Sequence, residues 1–268
     1  MIMVRPSHSA FKVLSYLFLT LLLSSSIYLN AQTSIDNDLI QKIEAQFVSS
    51  FEAIIESDIM TRQDSLIPAF RNDLSGFLKN KETFNYPFEE LGKYVKITQV
   101  PGVNFRIFGF DELTGGRFHE MCNIIQVKLP NDQTSVSFLN NSNSLSFGNY
   151  NDIIVYKIID WGDEESNSFL LFGWGSNGTG KKFETVRMVE FDGANMIEKE
   201  NIYFDGALYH NYIFTEAPRS GEIGLTAKPQ DNTVSLTLFH ETESGWIQTN
   251  KPVTFSWDGN VFTRNVSE

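Results

Sequence analysis

The hydrophobic pattern changes period once along the chain, near residue 93, and that change fixes the fold class. Before it, apolar residues recur at steps of three and four. After it they fall into short runs rich in β-branched and aromatic side chains, divided by turn residues. Leu39, Ile40, Ile43, Phe47, Phe51, Ile54 and Ile55 form one helical stripe over 35–60. Ser34 is its expected N-cap, with Asp36 and Asp38 at the positive end of the helix. Leu66, Ile67, Phe70, Leu74, Phe77 and Leu78 form a second stripe over 65–79, with Asp64 as the expected cap and Pro68 in the first turn. The short join predicts an antiparallel helical pair.

Strands are predicted at 94–100, 103–110, 119–129, 135–139, 152–161, 168–174, 183–191, 202–204, 212–215, 222–227, 234–240, 253–257 and 261–264. Asp192-Gly193, Asp205-Gly206 and Asp258-Gly259 read as tight hairpin turns in which both central residues take positive φ. No long helical stretch separates the strands, so crossover units are not expected and the sheet should be antiparallel. The strands group into three meanders of about four at 93–140, 152–205 and 210–264, a spacing that resembles propeller blades but is too few to close a ring. The reading is therefore α+β: a helical segment over 32–92, then a large, mostly antiparallel β domain over 93–268, as a curled sheet or sandwich with the helices packed at one end. Segment 140–152, rich in Asn and Ser, is the longest expected loop.

The first 31 residues read as an export signal. Arg5 and Lys12 precede an apolar run of 11 residues, Val13 to Leu23, then Ser24-Ser25-Ser26, with Ala31 before the expected cut. A membrane span needs about 20 apolar residues, so a retained anchor is not expected after cleavage. Removal of this segment takes away two basic residues and no acidic one, leaving a remainder more acidic than the −12 of the whole chain. That balance excludes a nucleic-acid binder, which needs a basic face to displace counterions. One cysteine excludes an internal disulfide framework, and four histidines supply little for a metal site. No cofactor is called for.

Several motifs look chemical. Gly173-Trp174-Gly175-Ser176-Asn177-Gly178 matches a dinucleotide fingerprint, and Gly175 to Lys181 matches most of a phosphate loop. Both need a following helix to hold phosphate on its first N–H groups, whereas Phe183 to Phe191 reads as a strand and Lys182 stands where magnesium needs Ser or Thr. His119-Glu120 and His240-Glu241 begin like a zinc-protease motif, but Asn123 and Ser244 close them. Cys122 and His119 are three apart on an expected strand and point to opposite faces, with His119 in phase with Met121, Ile125 and Val127. The acidic tip Gly162-Asp163-Glu164-Glu165 reads as a solvated turn before a calcium loop. Trp174 and Trp257 read as core, and Trp161 and Trp246 as exposed candidates for stacking on a ligand. Asp64-Ser65-Leu66 resembles an acceptor site for O-glycosylation of exported proteins.

One resemblance spans most of the chain. Phe84 to Leu91, Phe105 to His119 with Asp111, Thr114, Gly115, Gly116 and His119 in a D-x-x-T-G-G-x-x-H pattern, and Asn123 to Lys128 resemble uncharacterised exported proteins of Bacteroidota-type bacteria. Phe110 stands where that pattern has tryptophan. The resemblance implies export and no assigned activity. Within it, Asp111, Thr114, Gly115, Gly116, Arg117 and His119 are the best candidate ligand site. The competing reading is structural: a glycine hairpin turn, Asp111 accepting turn N–H groups, and His119 as its buried partner. Three functions follow as expectations. One is a non-catalytic binding or envelope-associated module for glycan, peptide or a partner protein. The second is a hydrolase with two carboxylates about 5–10 Å apart in one cleft. The third is an assembly protein using a sheet edge.

Overall fold

The computed structural model describes residues 36–115, 119–139, 152–162, 167–176, 180–219, 221, 223–243, 245–249 and 251–265. The expected change of period appears as a change of architecture. Helix α1 (Asn37–Glu56) is followed by a helical turn Ile59–Thr61, a π-helical segment Arg62–Leu66 and helix α2 (Ile67–Phe77). The strands then run β1 (Lys96–Gln99), β2 (Phe105–Asp111), β3 (Met121–Lys128), β4 (Thr134–Phe138), β5 (Ile154–Asp160), β6 (Ser168–Ser176), β7 (Lys181–Asp192) and β8 (Asn195–Glu198). The third group is β9 (Tyr203–Phe204), β10 (Tyr209–His210), β11 (Tyr212–Pro218), β12 (Thr226–Lys228), β13 (Thr233–Leu236), β14 (Phe239–Thr242), β15 (Gly245–Gln248), β16 (Val253–Trp257) and β17 (Phe262–Arg264).

These elements stack as four layers around three hydrophobic cores. The first sheet is the meander β1-β2-β3-β4, the second has the order β11-β7-β6-β5 with β8 on β7, and the third has the order β10-β9-β17-β16-β13-β12. The helices cover one face of the first sheet, through Ile40, Phe47, Phe51, Phe70, Leu74 and Phe77 against Phe108, Phe110, Cys122 and Ile124. The other face of that sheet, Phe105, Ile107, Ile125 and Val127, packs on Val155, Phe169, Leu171 and Val189 of the second. The second sheet's far face, Leu170, Phe172, Val186 and Met188, packs on Val234, Leu236, Phe255 and Phe262 of the third. A sheet covered on both faces needs apolar residues at every position, which is why Phe169 to Phe172 reads as an unbroken apolar run.

The meander grouping holds for the first sheet and is altered in the other two. The 152–205 group gives β9 to the third sheet, and the 210–264 group gives β11 to the second. β9 also lies parallel to β17, the exception in an otherwise antiparallel set of pairs. Strands β8, β10 and β15 had no counterpart in the sequence expectation, and the run expected at 234–240 is divided between β13 and β14. In the three Asp-Gly turns only the glycines take positive φ, at 59°, 104° and 102°. Asp205 and Asp258 instead fold their carboxylates back onto the N–H groups two and three residues on.

The helical ends also depart from expectation. Asp36, not Ser34, caps α1, accepting from Leu39 N–H at 2.8 Å; Ser34 lies outside the described residues. Leu39 and Ile55 are exposed at the two ends of α1, while Glu44 is buried on its inner face. Asp64 is no cap: it sits exposed in the π-helical segment, and Asp58 caps the preceding turn through Thr61 N–H at 3.0 Å. Pro68 removes an N–H from a continuous helical stretch, and the wider π turn just before it absorbs that loss. Arg62 closes the first helix from outside it, donating to the carbonyls of Ile54 at 2.8 Å and Ser57 at 2.7 Å, where the negative end of the helix dipole lies. No helix among the described residues is long and apolar enough to cross a membrane.

Candidate functional site

The turn between β2 and β3 gathers the expected candidates, and its polar groups are engaged within the protein. Asp111 Oδ1 accepts from Leu113 N–H at 2.7 Å, and Oδ2 lies 2.6 Å from His119 Nδ1. Thr114 Oγ1 accepts from Glu120 N–H at 3.2 Å. The loop carbonyls are taken by the helices: Arg62 donates to Leu113 O at 2.7 Å and Gln63 to Thr114 O at 2.9 Å. Gly115, at φ +79°, lies against Ile59. Glu112 beside them is buried and salt-bridged to Arg71 at 3.2 Å, and burial lifts its carboxyl above the ordinary range. Gly116 and Arg117 lie outside the described residues. The structure thus brings Asp111, Thr114, Gly115 and His119 together, in a clamp that pins the turn to the helical pair.

The thiol–imidazole pairing is absent, but not through strand parity: β3 begins at Met121, and His119, expected on the strand at a core-facing position, lies before it and is partly exposed. Cys122 faces the helices opposite Phe110, while the His119 ring turns to Asp111. Burial pushes the Cys122 thiol well above its ordinary range, so it carries no thiolate at neutral pH. Asn123, at the closing position of the zinc-protease pattern, is buried and bridges two sheets: its amide donates to Ile153 O at 2.5 Å and its oxygen accepts Val155 N–H at 3.0 Å. Among the described residues no three metal-ligating side chains cluster.

The glycine fingerprints dissolve into packing. Lys181–Asp192 is a strand, and Gly173 and Gly175 lie on β6 where another chain segment crosses close by. A Cβ on Gly173 would come within 2.5 Å of Ile153, and one on Gly175 would strike the Asp152 carbonyl and the Phe183 ring. Positions 177–179 lie outside the described residues, as do Asp163, Glu164 and Glu165 of the acidic tip.

Two tryptophans exchange their expected environments. Trp161 is buried at 8% exposure, its ring 5.3 Å from that of Phe262, because β5 ends over the third sheet rather than at the surface. Trp174, expected in the core, is 37% exposed where the third sheet no longer covers the second. Trp246 is partly covered: Lys181 Nζ stands 4.9 Å from its ring centre while pairing with Glu241 at 2.7 Å, a contact that ties the β14–β15 hairpin to β7.

A concave feature lies elsewhere among the described residues, at the seam between the second and third sheets. It is a cleft of about 520 Å³ between β11 and the strands β9, β10, β13, β16 and β17. Ile213, Leu236, Leu238, Val253 and Phe255 supply its apolar lining, with Tyr203, Asp205, His210, Asn211 and Arg264 among its polar lining. Strand alternation turns the rings of the flanking Tyr209 and Tyr212 to other faces, Tyr209 to the side of Phe204, opposite the inward Tyr203, and Tyr212 to the side of Phe214, opposite the inward Ile213. Tyr209 packs on its cross-strand neighbour Phe204, ring centres 4.9 Å apart, and is 57% exposed on the rest of its surface. Tyr212 is backed by the Arg187 guanidinium at 4.8 Å, itself buried and paired with Glu198 at 3.1 Å.

The polar groups of the cleft divide into engaged and open ones. Asp205 takes N–H bonds from Ala207 at 2.8 Å and Leu208 at 2.9 Å, and its other oxygen meets His210 Nε2 at 3.0 Å. These bonds hold its carboxyl far below the usual carboxylate range. Asn211 gives its oxygen to Asn201 N–H at 2.9 Å and keeps its amide donors. Arg264 makes no ion pair among the described residues. Tyr209 and Arg264 stand at the ends of short strands, and nothing local in the sequence marks them as site residues; the expected strands at 202–204, 212–215, 234–240, 253–257 and 261–264 and the Asp205-Gly206 turn supply most of the walls without showing that they meet. The chain matches no family model, no curated protein and no solved structure.

Proposed function

We propose that this is an exported binding protein without catalytic turnover, which holds a saccharide in the cleft between the second and third sheets. The observation that carries the reading is a cleft with an apolar base whose polar lining keeps unused hydrogen-bonding atoms: the Asn211 amide, His210 Nδ1, the Arg264 guanidinium and the buried, unpartnered hydroxyl of Tyr203. Sugars present apolar C–H faces and a rim of hydroxyls, so an apolar floor flanked by such polar atoms matches both. Its volume of about 520 Å³ falls within the ~300–1,000 Å³ of small-ligand sites. Binding is favoured over hydrolysis because Asp205 is the only carboxylate among the described lining residues. Held ionised by three hydrogen bonds, it is unsuited to protonate a leaving group. Export is supported by the basic, apolar and small-residue order of residues 1–31 and by the resemblance to exported proteins.

Isothermal titration of the protein against a panel of oligosaccharides tests this. Asn211→Ala is expected to weaken the bound sugar by roughly 2–12-fold, the loss of about 0.5–1.5 kcal/mol of hydrogen bonding. Saturable binding that Asn211→Ala leaves untouched places the ligand elsewhere, and release of reducing ends from any member of the panel restores the hydrolase.

A further inference from the structure

We infer that the saccharide of the cleft is an acidic one, a uronic-acid-type sugar whose carboxylate pairs with Arg264; the inference rests on the cleft being a saccharide site. Arg264 stands two residues after Phe262 on β17 and therefore shares its face. That face is the inner one, because Phe262 is fully buried between the second and third sheets, and Phe255, the cross-strand partner of Arg264, also lies in that core. The strand thus ends by placing an exposed guanidinium over the apolar lining at the open side of the cleft.

A cation in that position has no internal purpose that the structure displays. The carboxylate that shares the cleft, Asp205, is already bound by His210 and two backbone N–H groups. Arg264 has no ion pair among the described residues. Other lining side chains with open hydrogen-bonding atoms, Asn211 through its amide, His210 through Nδ1 and Tyr203 through its buried hydroxyl, suit ring hydroxyls rather than a full negative charge. The guanidinium fork matches a carboxylate with two parallel hydrogen bonds. Charge complementarity points the same way. A chain of net charge −12 repels an acidic glycan at a distance, so recognising one requires a local cation where the sugar docks, and a neutral sugar has no such requirement.

The test is calorimetric titration with galacturonate, glucuronate and mannuronate trimers and with their methyl esters, which keep ring and linkage and remove the charge. In the wild-type protein at least one acid is expected to bind about 10-fold tighter than its ester, the margin of one charge-assisted pair. Added salt is expected to narrow that margin. Arg264→Gln is expected to bring the acid down to the affinity of its ester and leave the ester unchanged, with Arg264→Lys recovering part of the margin. A thermal midpoint of Arg264→Gln equal to wild type shows that the fold is intact. Equal binding of acid and ester, or an acid preference that survives Arg264→Gln, overturns the acidic ligand and leaves the saccharide site standing. Binding of neither acids nor esters, together with failure of the neutral panel, removes the saccharide site itself.

Discussion

Two arginines at opposite ends of the layer stack show how differently the molecule treats a positive charge. Arg106, on β2 beneath the helices, is buried at 2% exposure. It donates to Gln126 Oε1 at 2.7 Å, to the Tyr86 carbonyl at 2.8 Å and to the Thr83 carbonyl. The rings of Phe84, Phe88 and Phe108 stand 5.6, 5.2 and 4.8 Å from its guanidinium carbon. Burial pulls its pKa down to about 9, yet at neutral pH it stays charged, stabilised by carbonyl dipoles and aromatic faces. Glu44 repeats the pattern with the opposite sign, accepting from Glu90 and Leu91 N–H at 2.9 Å each and from the Tyr86 hydroxyl at 2.8 Å. Arg264 at the cleft has none of this. The helical end uses its charges to fix the fold, and the cleft leaves one available to a ligand.

The largest expected effect follows from that contrast. Arg106→Ala opens a cavity and orphans two carbonyls and the Gln126 oxygen, at a cost of about 3–5 kcal/mol. Arg264→Ala, at an exposed strand end, is expected within about 0.5 kcal/mol of wild type. Urea unfolding followed by circular dichroism measures both. A loss at Arg264 comparable to that at Arg106 would mean that the cleft arginine is a structural group, and the comparison would fail.

A second contrast separates residues that look reserved for a ligand from those that pack. Gly175→Ala drives a methyl into the Asp152 carbonyl and the Phe183 ring, and backbone does not yield cheaply. The expected loss is about 2–3 kcal/mol. At Gly180 an added Cβ meets nothing within 4 Å, and only its φ of +80° resists, so Gly180→Ala costs about 1–2 kcal/mol. Magnesium ATP is expected to leave the melting temperature of the wild type unchanged. A rise that Gly175→Ala abolishes without prior loss of stability returns these glycines to phosphate binding.

What could be read from the sequence was what local periodicity carries. The two helices, the change at residue 93, the first meander and the face of each β2 and β3 residue follow from steps of 3.6 and 2. So does the strand that disarms the glycine motifs. The rest depends on which sheet a strand joins. The exchange of β9 and β11 between sheets is a non-local choice, and so is the packing of the third sheet that covers Trp161 with Phe262 and leaves Trp174 exposed. The cleft is invisible for the same reason: its walls come from 203–214, 236–238 and 253–264, and no window of sequence contains them. The turn at 111–119 was legible as a constellation, but its commitment to Arg62 and Gln63, about fifty residues earlier, was not.

The smallest effect distinguishes the carboxylates of the two regions by the sign of their pH dependence. Burial raises Glu112 above 4.5, against the opposing pull of Arg71, with Glu120 and Asp152 adding to the rise. Its folded form therefore holds a proton more tightly than the unfolded chain, and stability declines as pH rises from about 4.5 through the raised value. Asp205 is lowered from 3.8 by the Leu208 and Ala207 N–H groups and His210, so its contribution is complete above pH 3.8 and lost as pH falls below it. Glu112→Gln, which keeps an acceptor for Arg71, is expected to flatten the decline in urea midpoint as pH rises above 4.5. Part of the slope should remain, because Asp152 and Glu184 are also raised by burial. Asp205→Asn is expected to leave that window unchanged and to soften only the acid limb below pH 4. If Glu112→Gln reproduces the wild-type slope, the carboxylate beside the 111–119 turn is hydrated rather than enclosed, and the clamp that holds this turn to the helical pair is looser than its hydrogen bonds indicate.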